Sequence, residues 1–145
     1  MPVPTAILYP NTLVDTLAWL QGHPLLTALI GNPGRVYFRL PTKPVFPCLR
    51  LYQAGGAPVP GEAPEDGVRI SIEIWGELPS DYLSLLSIEA ALKSAFQPVS
   101  NVMANPAGNT LLLYAACVSA VDAPDSDLGW PRRVVDFVVN SRLAP

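Results

Sequence analysis

The sequence predicts an α+β domain in which a mainly antiparallel sheet of about five strands carries helices packed on one face. Three observations lead to this prediction. Residues 68–77 alternate between apolar and polar side chains, and the segment that follows has apolar residues at helical spacing. Further strand-like runs lie on both sides of this pair. Two short helical segments precede all of them, so the predicted order is two helices, three strands, one helix and two strands.

The N-terminal part of the chain predicts an extended arm followed by two short helices. Residues 1–10 are rich in proline, which disfavours regular structure. Asn11 or Thr12 is suited to cap a first helix, TLVDTLAWLQG, for which Gly22 is the C-terminal stop. Proline is favoured at the first position of a helix, so His23-Pro24 is expected to begin a second one, PLLTALI.

Two strands and a long loop are expected next. Residues 35–40 predict a short strand, and residues 46–54 predict a second one. The prolines around them indicate an edge position or an irregular entry into the strand, because proline cannot donate to a sheet ladder. Residues 55–67 are rich in glycine, proline and carboxylates, so we expect a long hairpin loop there. Long loops in compact domains are often functional.

The strand at residues 68–77 and the helix after it form the centre of the predicted fold. Val68, Ile70, Ile72 and Ile74 are expected to face a helix layer, with the polar residues on the other side. Ser80 is the expected N-cap, with Asp81 at the positive end of the helix dipole, and Pro98 ends the helix. The predicted buried face of this helix contains Leu85, Ile88, Leu92, Ala95 and Phe96.

The last two predicted strands, residues 110–121 and 132–143, are apolar on both alternating faces. Such strands need cover on both sides, whereas the predicted helices can cover about one face of the sheet. We therefore expect the remaining apolar surface to meet another copy of the chain or a partner. A long loop folded back as a lid is the alternative.

Composition limits the classes of function. A single domain of 145 residues with 50% apolar and only 14% charged residues predicts a folded chain that hides surface against other subunits. The formal net charge of −3 and a pI near 4.9 argue against a dedicated nucleic-acid binder. We expect no signal peptide and no membrane span, because the longest apolar run is too short to cross a bilayer.

Motifs for catalysis and cofactor binding are absent from the sequence, so no enzyme, catalytic residue or cofactor is predicted. Cys48 and Cys117 lie in apolar strand-like runs, where small buried thiols are the expected interpretation. His23 is expected to cap a helix or face solvent. A nucleophilic cysteine paired with His23 remains an open alternative without a supporting local motif.

No metal site is predicted either. Asp122, Asp125 and Asp127 could in principle bind calcium, but their spacing does not match an EF-hand loop. Aspartates in such a cluster are ordinarily turn formers. Trp75 and Trp130 are candidate interface anchors or ordinary core residues. For the strand arginines, Arg50, Arg69, Arg132 and Arg133, the simplest expectation is ion pairing within or between sheets.

The order of elements resembles the tail terminator (tail completion) family of long non-contractile-tailed bacteriophages. The resemblance covers roughly residues 11–143. It rests on the helix LVDTLAWLQGHPLLTALIG, then GRVYF, the proline-flanked FPCLRLYQ, and GVRISIEIWGE followed by DYLSLLSIEAALKSAF. The strand that runs into an amphipathic helix is the most recognisable part.

This resemblance implies a structural virion protein, assembled in the host cytoplasm. It implies a ring, typically a hexamer, that caps the head-proximal end of the tail tube. The ring would stop polymerisation of the major tail protein and would join the tail to neck or head-completion proteins. DNA would pass through its lumen without being read in sequence, and the acidic pI fits a channel that does not hold phosphates tightly.

Three alternatives stay open at this point: a head-to-tail neck adaptor, a small ligand-binding module and a cysteine-dependent enzyme. The residues expected at or near the subunit contact or the lumen are Arg69, Glu73, Trp75, Trp130, Arg132, Arg133, Val135, Phe137, Glu62, Glu65 and Asp66. We expect charge reversal at Arg69 or Arg133 to weaken assembly while it leaves the fold intact.

Overall fold

The computed structural model describes residues 11–59, 65–96, 102–103 and 110–143. The three helices are α1 (Thr12–Gly22), α2 (Pro24–Ile30) and α3 (Tyr82–Phe96). The strands are β1 (Val36–Tyr37), β2 (Cys48–Val59), β3 (Glu65–Trp75), β4 (Val102–Met103), β5 (Thr110–Asp122) and β6 (Arg132–Leu143). The predicted arm at residues 1–10 and the helix stop at Pro98 lie outside the described residues.

The strands form one sheet in the order β1-β2-β3-β6-β5-β4, with four long strands and a two-residue strand at each edge. Every pairing is antiparallel except that of β1 with β2. The predicted α+β class with a mainly antiparallel sheet is therefore confirmed. The predicted strand at residues 35–40 shrinks to β1, which does form the predicted edge.

Strand β3 confirms the predicted alternation. The side chains of Ile70, Ile72 and Ile74 are fully buried, and they face the same core as the helices. All five residues predicted for the buried face of α3 are buried as well. Phe96 of α3 packs on Phe137 of β6 with ring centroids 4.3 Å apart, so the helix is anchored directly to the sheet.

The two N-terminal helices begin as predicted. The Asn11 side chain accepts a hydrogen bond from the backbone N–H of Val14, and the His23 ring nitrogen Nδ1 accepts one from Leu25. The start of α3 differs from the prediction. Ser80 does not cap it, because Pro79–Asp81 forms a 3-10 turn in which the Asp81 carboxylate accepts the backbone N–H groups of Glu77 and Leu78.

The predicted loop at residues 55–67 is wrong at both ends, because β2 and β3 stay paired as far as Val59 and Glu65. Gly55 and Gly56 have φ of 151° and 125°, and a bulge lies between Gln53 and Gly55. A Cβ on Gly56 would lie 2.2 Å from the Gly67 carbonyl oxygen. Glycine therefore lets β2 and β3 approach each other closely at this point. This is why the glycine-rich segment forms part of a strand and not a loop. Residues 60–64 lie outside the described residues.

Strand β5 departs from strict alternation. Its pairing with β6 shifts register between Leu112 and Tyr114 and again between Cys117 and Ser119. Each shift inserts one extra residue into β5, so the side chains that face the core do not fall on every second residue of the strand. The core-facing positions follow their β6 partners and are Leu112, Ala115, Cys117 and Ala120. The expectation that every second residue of this strand shares a face is therefore wrong.

A buried ionic cluster ties α3 to β6. The Glu89 carboxylate accepts hydrogen bonds from Arg133 and, at 3.0 Å, from Lys93. The Glu89 side chain is 10% exposed and that of Arg133 is 18% exposed. Burial by itself raises the pKa of Glu89, but hydrogen bonds and charges from Arg133 and Lys93 outweigh it and lower the pKa below its ordinary value.

Replacing Arg133 by Met should destabilise the fold by roughly 2–3 kcal/mol, because Glu89 then keeps only Lys93 as a partner in a buried position. Arg69→Met is the matched control. Its ion pair is 46% exposed on the arginine side, so the loss should stay below about 1 kcal/mol. Urea unfolding of both variants measures this difference. Equal losses would show that the buried cluster does not stabilise the docking of α3.

The same cluster predicts an acid dependence of stability. Because the folded-state pKa of Glu89 is lowered from 4.5, its contribution is present above that pH and is lost as the pH falls through the folded value. The difference in unfolding free energy between the wild type and Glu89→Gln should therefore shrink on acidification below pH 4.5. A difference that is constant down to the onset of acid unfolding would contradict the assignment.

Candidate assembly surface

The sheet face opposite the helices, here called the open face, carries the second set of alternating side chains. Register places four groups of side chains on it. They are Arg50 and Tyr52 of β2, then Arg69, Ser71, Glu73 and Trp75 of β3, then Arg132, Val134, Asp136 and Val138 of β6, and Tyr114, Ala116, Ser119 and Val121 of β5. In the described part of the chain, the helices belong to the core on the other face.

Glu73 lies at the centre of the open face and is almost fully buried. Its carboxylate accepts hydrogen bonds from Arg50 at 2.8 Å and from Arg132 at 3.1 Å. Its side chain is 5% exposed, whereas those of Arg50 and Arg132 are 37% and 27% exposed. The two guanidinium groups therefore satisfy the charge of Glu73 and shield it from water.

A second ion pair lies farther along the same strands. Asp136 accepts hydrogen bonds from Arg69 at 2.7 Å and from the Ser71 hydroxyl at 2.6 Å. The expectation that the strand arginines form ion pairs within the sheet is confirmed for both groups. Sequence reasoning named Glu73 but missed Ser71 and Asp136. Their signal is positional, since Ser71 lies on the polar side of the β3 alternation, Asp136 lies between apolar residues of β6, and the two face each other across the register.

Aromatic rings cover one end of the open face. Trp75 is 5% exposed, and its ring contacts Trp130 with centroids 5.9 Å apart. Phe46 packs on Trp130 at 4.8 Å, and the Arg132 guanidinium lies 4.9 Å from the Trp75 ring. Because Trp75 is buried within the subunit, it is not the exposed anchor considered from the sequence. Trp130 packs against it, and Phe46 packs on Trp130 in turn.

The β5 side of the sheet is apolar and accessible. Tyr114, Val118 and Val121 are each at least 50% exposed. Val134 and Val138 on the neighbouring strand β6 are partly buried. The open face thus consists of paired charges at its centre and an apolar strip along β5, and exposed apolar patches are a common feature of subunit contacts.

Several residues predicted at a contact lie elsewhere. Val135 and Phe137 are 0% and 1% exposed in the core, so they cannot contact a neighbouring subunit. Arg133 lies on the helix side and pairs with Glu89, so charge reversal there would not leave the fold intact as expected. Asp66 accepts a hydrogen bond from Thr12 at 3.1 Å. Glu62 and the side chain of Glu65 lie outside what the structure describes.

The groups considered for chemistry have structural roles in this fold. Burial raises the pKa of the Cys48 thiol to about 11, with the charge of Arg35 opposing the shift. His23 caps α2, and desolvation lowers its pKa. The Asp125 side chain accepts backbone N–H groups of Asp127 and Leu128, which is the expected turn-forming role.

Two neighbouring shallow depressions lie on the helix side of the described part of the chain. One, of about 240 Å³, is lined by residues of α2 and α3 together with Pro47. The other, of about 220 Å³, is lined partly by Phe46, Leu78 and Asp81, whose carboxylate is already engaged with backbone N–H groups. No helix among the described residues is long and apolar enough to cross a membrane.

Comparison with known proteins yields structural neighbours. No protein-family model matches the chain, and no curated protein matches it. Its fold is similar to that of a chain from the virion of a native gene transfer agent (GTA) particle, with a TM-score of 0.59 and 15% identity. The superposition covers 92% of this chain and 96% of that chain. At this identity the likeness establishes a shared fold.

The two cysteines should differ in thiol reactivity. Cys48 is fully buried and its pKa is about 11, so at pH 8 only about one molecule in a thousand carries the reactive thiolate. A maleimide reagent should label the partly exposed Cys117 in the native protein and should reach Cys48 only after unfolding. Mass spectrometry of labelled wild type and Cys117→Ser measures this. Rapid labelling of Cys48 in native Cys117→Ser would reopen the nucleophile alternative.

Proposed function

We propose that this protein is a structural subunit of a virion and, more specifically, a tail terminator. The observation that supports the proposal most strongly is the likeness to a GTA virion chain over nearly the whole length of both chains. The order of elements that resembles siphophage tail terminators supports it independently, because that resemblance was drawn from the sequence. The proposed location is the head-proximal end of the tail.

In this proposal, identical subunits form a closed ring, typically a hexamer, on the last layer of a tail tube. A closed ring uses a heterologous contact, in which one surface of each subunit meets a different surface of its neighbour. The ring occupies the growing end of the tube, so the major tail protein can add no further layer. Its free surface then receives the neck or head-completion proteins.

The lumen of the ring passes DNA without reading its sequence. Arg50, Arg69 and Arg132 of the open face are each already paired with a carboxylate. The described arginines of the open face are therefore already neutralised and the chain as a whole is acidic, so contact with phosphate groups is weak and favours passage over retention. The protein needs no catalytic residue, metal or cofactor for this role.

The proposal predicts that the purified protein limits the length of tail tubes. When it is added to polymerising major tail protein, tubes should stop growing, and a ring should be visible at one end by electron microscopy. Tubes capped in this way should then bind capsids that carry a neck. The matched control is Ile72→Asp, which places a carboxylate in the fully buried core and should fail to fold.

The outcome also separates a terminator from a neck adaptor. A terminator is found on headless tails, whereas an adaptor is found on tailless capsids. A chain that binds neither tube ends nor capsids, and stays monomeric at high concentration with tube ends present, would contradict both assignments.

A further inference from the structure

The sheet has two long edges that are unpaired within the described residues. Strand β2 pairs with β1 only at Leu49 and Arg50, so its outer side from Leu51 onward has no partner strand among the described residues. Strand β5 pairs with β4 only at Leu111 and Leu112, so its outer side beyond them has no partner strand in the described part of the chain either. Such edges expose rows of backbone N–H and C=O groups that can pair with another strand.

Both edges lack the charges with which monomeric proteins ordinarily protect them. Residues 51–59 and 110–121 contain no Asp, Glu, Lys or Arg. Natural edge strands commonly carry lysine or other charges that block pairing with a second chain. Along these edges Gln53, Ala54, Tyr114 and Val118 are exposed, and the neighbouring side chains are mostly small.

The two edges also match in level and direction. Register across the four long strands places Leu51 level with Ala120, Gln53 level with Cys117, and Ala57 level with Tyr114. The unpaired parts of both edges therefore share the same height on the sheet. Successive antiparallel pairings make β5 run opposite to β2.

In a ring, rotation about the central axis relates each copy to the next and leaves the direction of its strands along that axis unchanged. When the sheets join into a continuous cylinder, β5 of one copy would therefore meet β2 of the next in antiparallel orientation. Each copy then offers one edge of each kind, which is the condition for a closed heterologous ring. The β-bulges after Gln53 and at Leu113 and Val118 interrupt both edges. We therefore expect the backbone hydrogen bonds between the two edges to form in short runs separated by the bulges.

We infer that subunits of this protein join edge to edge, with β5 residues 114–120 of one copy pairing with β2 residues 51–57 of the next. This inference rests on the proposed ring and specifies its contact. The open face would then form one surface of a continuous sheet, with its paired arginines and carboxylates repeated around the ring. The occupant of each edge is a second copy of the same chain.

Lysine substitutions test the contact. Ala54→Lys blocks the β2 edge and Val118→Lys blocks the β5 edge, because an ammonium group cannot lose its water in the contact without a partner charge. Ala90→Lys on the exposed side of α3 is the matched control for charge. We expect both edge variants to melt like the wild type but to lose ring formation, alone or on tube ends, while Ala90→Lys retains it.

Mixing the two edge variants tests whether the contact joins two different edges. In a heterologous contact, the free β5 edge of Ala54→Lys fits the free β2 edge of Val118→Lys, so an equimolar mixture should give heterodimers and nothing larger by native mass spectrometry. A mixture that stays monomeric, a two-fold dimer through one edge, or rings from both edge variants would overturn the inference. Absence of assembly by the wild type, alone and on tube ends, would instead reject the proposed ring itself.

Discussion

The structure depends on a central strand that must be buried on both faces. On one face of β3, Ile70, Ile72 and Ile74 pack under the helices and exclude water completely. On the other face Ser71 and Glu73 are also buried, at 3% and 4% exposure, without a helix layer above them among the described residues. Long side chains from neighbouring strands provide that cover, because arginine can bury its apolar stem and still pair its charge.

This solution explains why the open face suits assembly. A second helix layer would enclose the sheet and make the subunit self-sufficient. Paired arginines and carboxylates protect the centre instead, while the side chains of Tyr114, Val118 and Val121 stay exposed and the two sheet edges have no partner strand among the described residues. In the proposed ring, this surface is the one that a further copy or partner covers.

Local patterns predicted most of the fold, and long-range pairing decided the rest. The apolar spacing of α3 and the alternation of β3 depend on neighbouring residues, so both were predicted correctly. The glycines at 55 and 56 indicated a loop, yet they serve a close approach to Gly67 that only the partner strand reveals. The bulges in β5 also depend on its pairing with a partner strand, so the alternation read from the sequence of β5 alone was wrong. Arg133 illustrates the limit for the site, since its position beside Glu89 depends on how α3 docks on β6.

The unpaired edges of this sheet are the proposed assembly surfaces. Amide hydrogen exchange, compared between the isolated subunit and the assembled ring, tests this proposal most directly. We expect fast exchange of outward-facing amides in residues 51–57 and 114–120 of the isolated subunit, and strong protection of both segments after assembly. Protection of either segment that is already complete in the isolated subunit, or is unchanged by assembly, would contradict it.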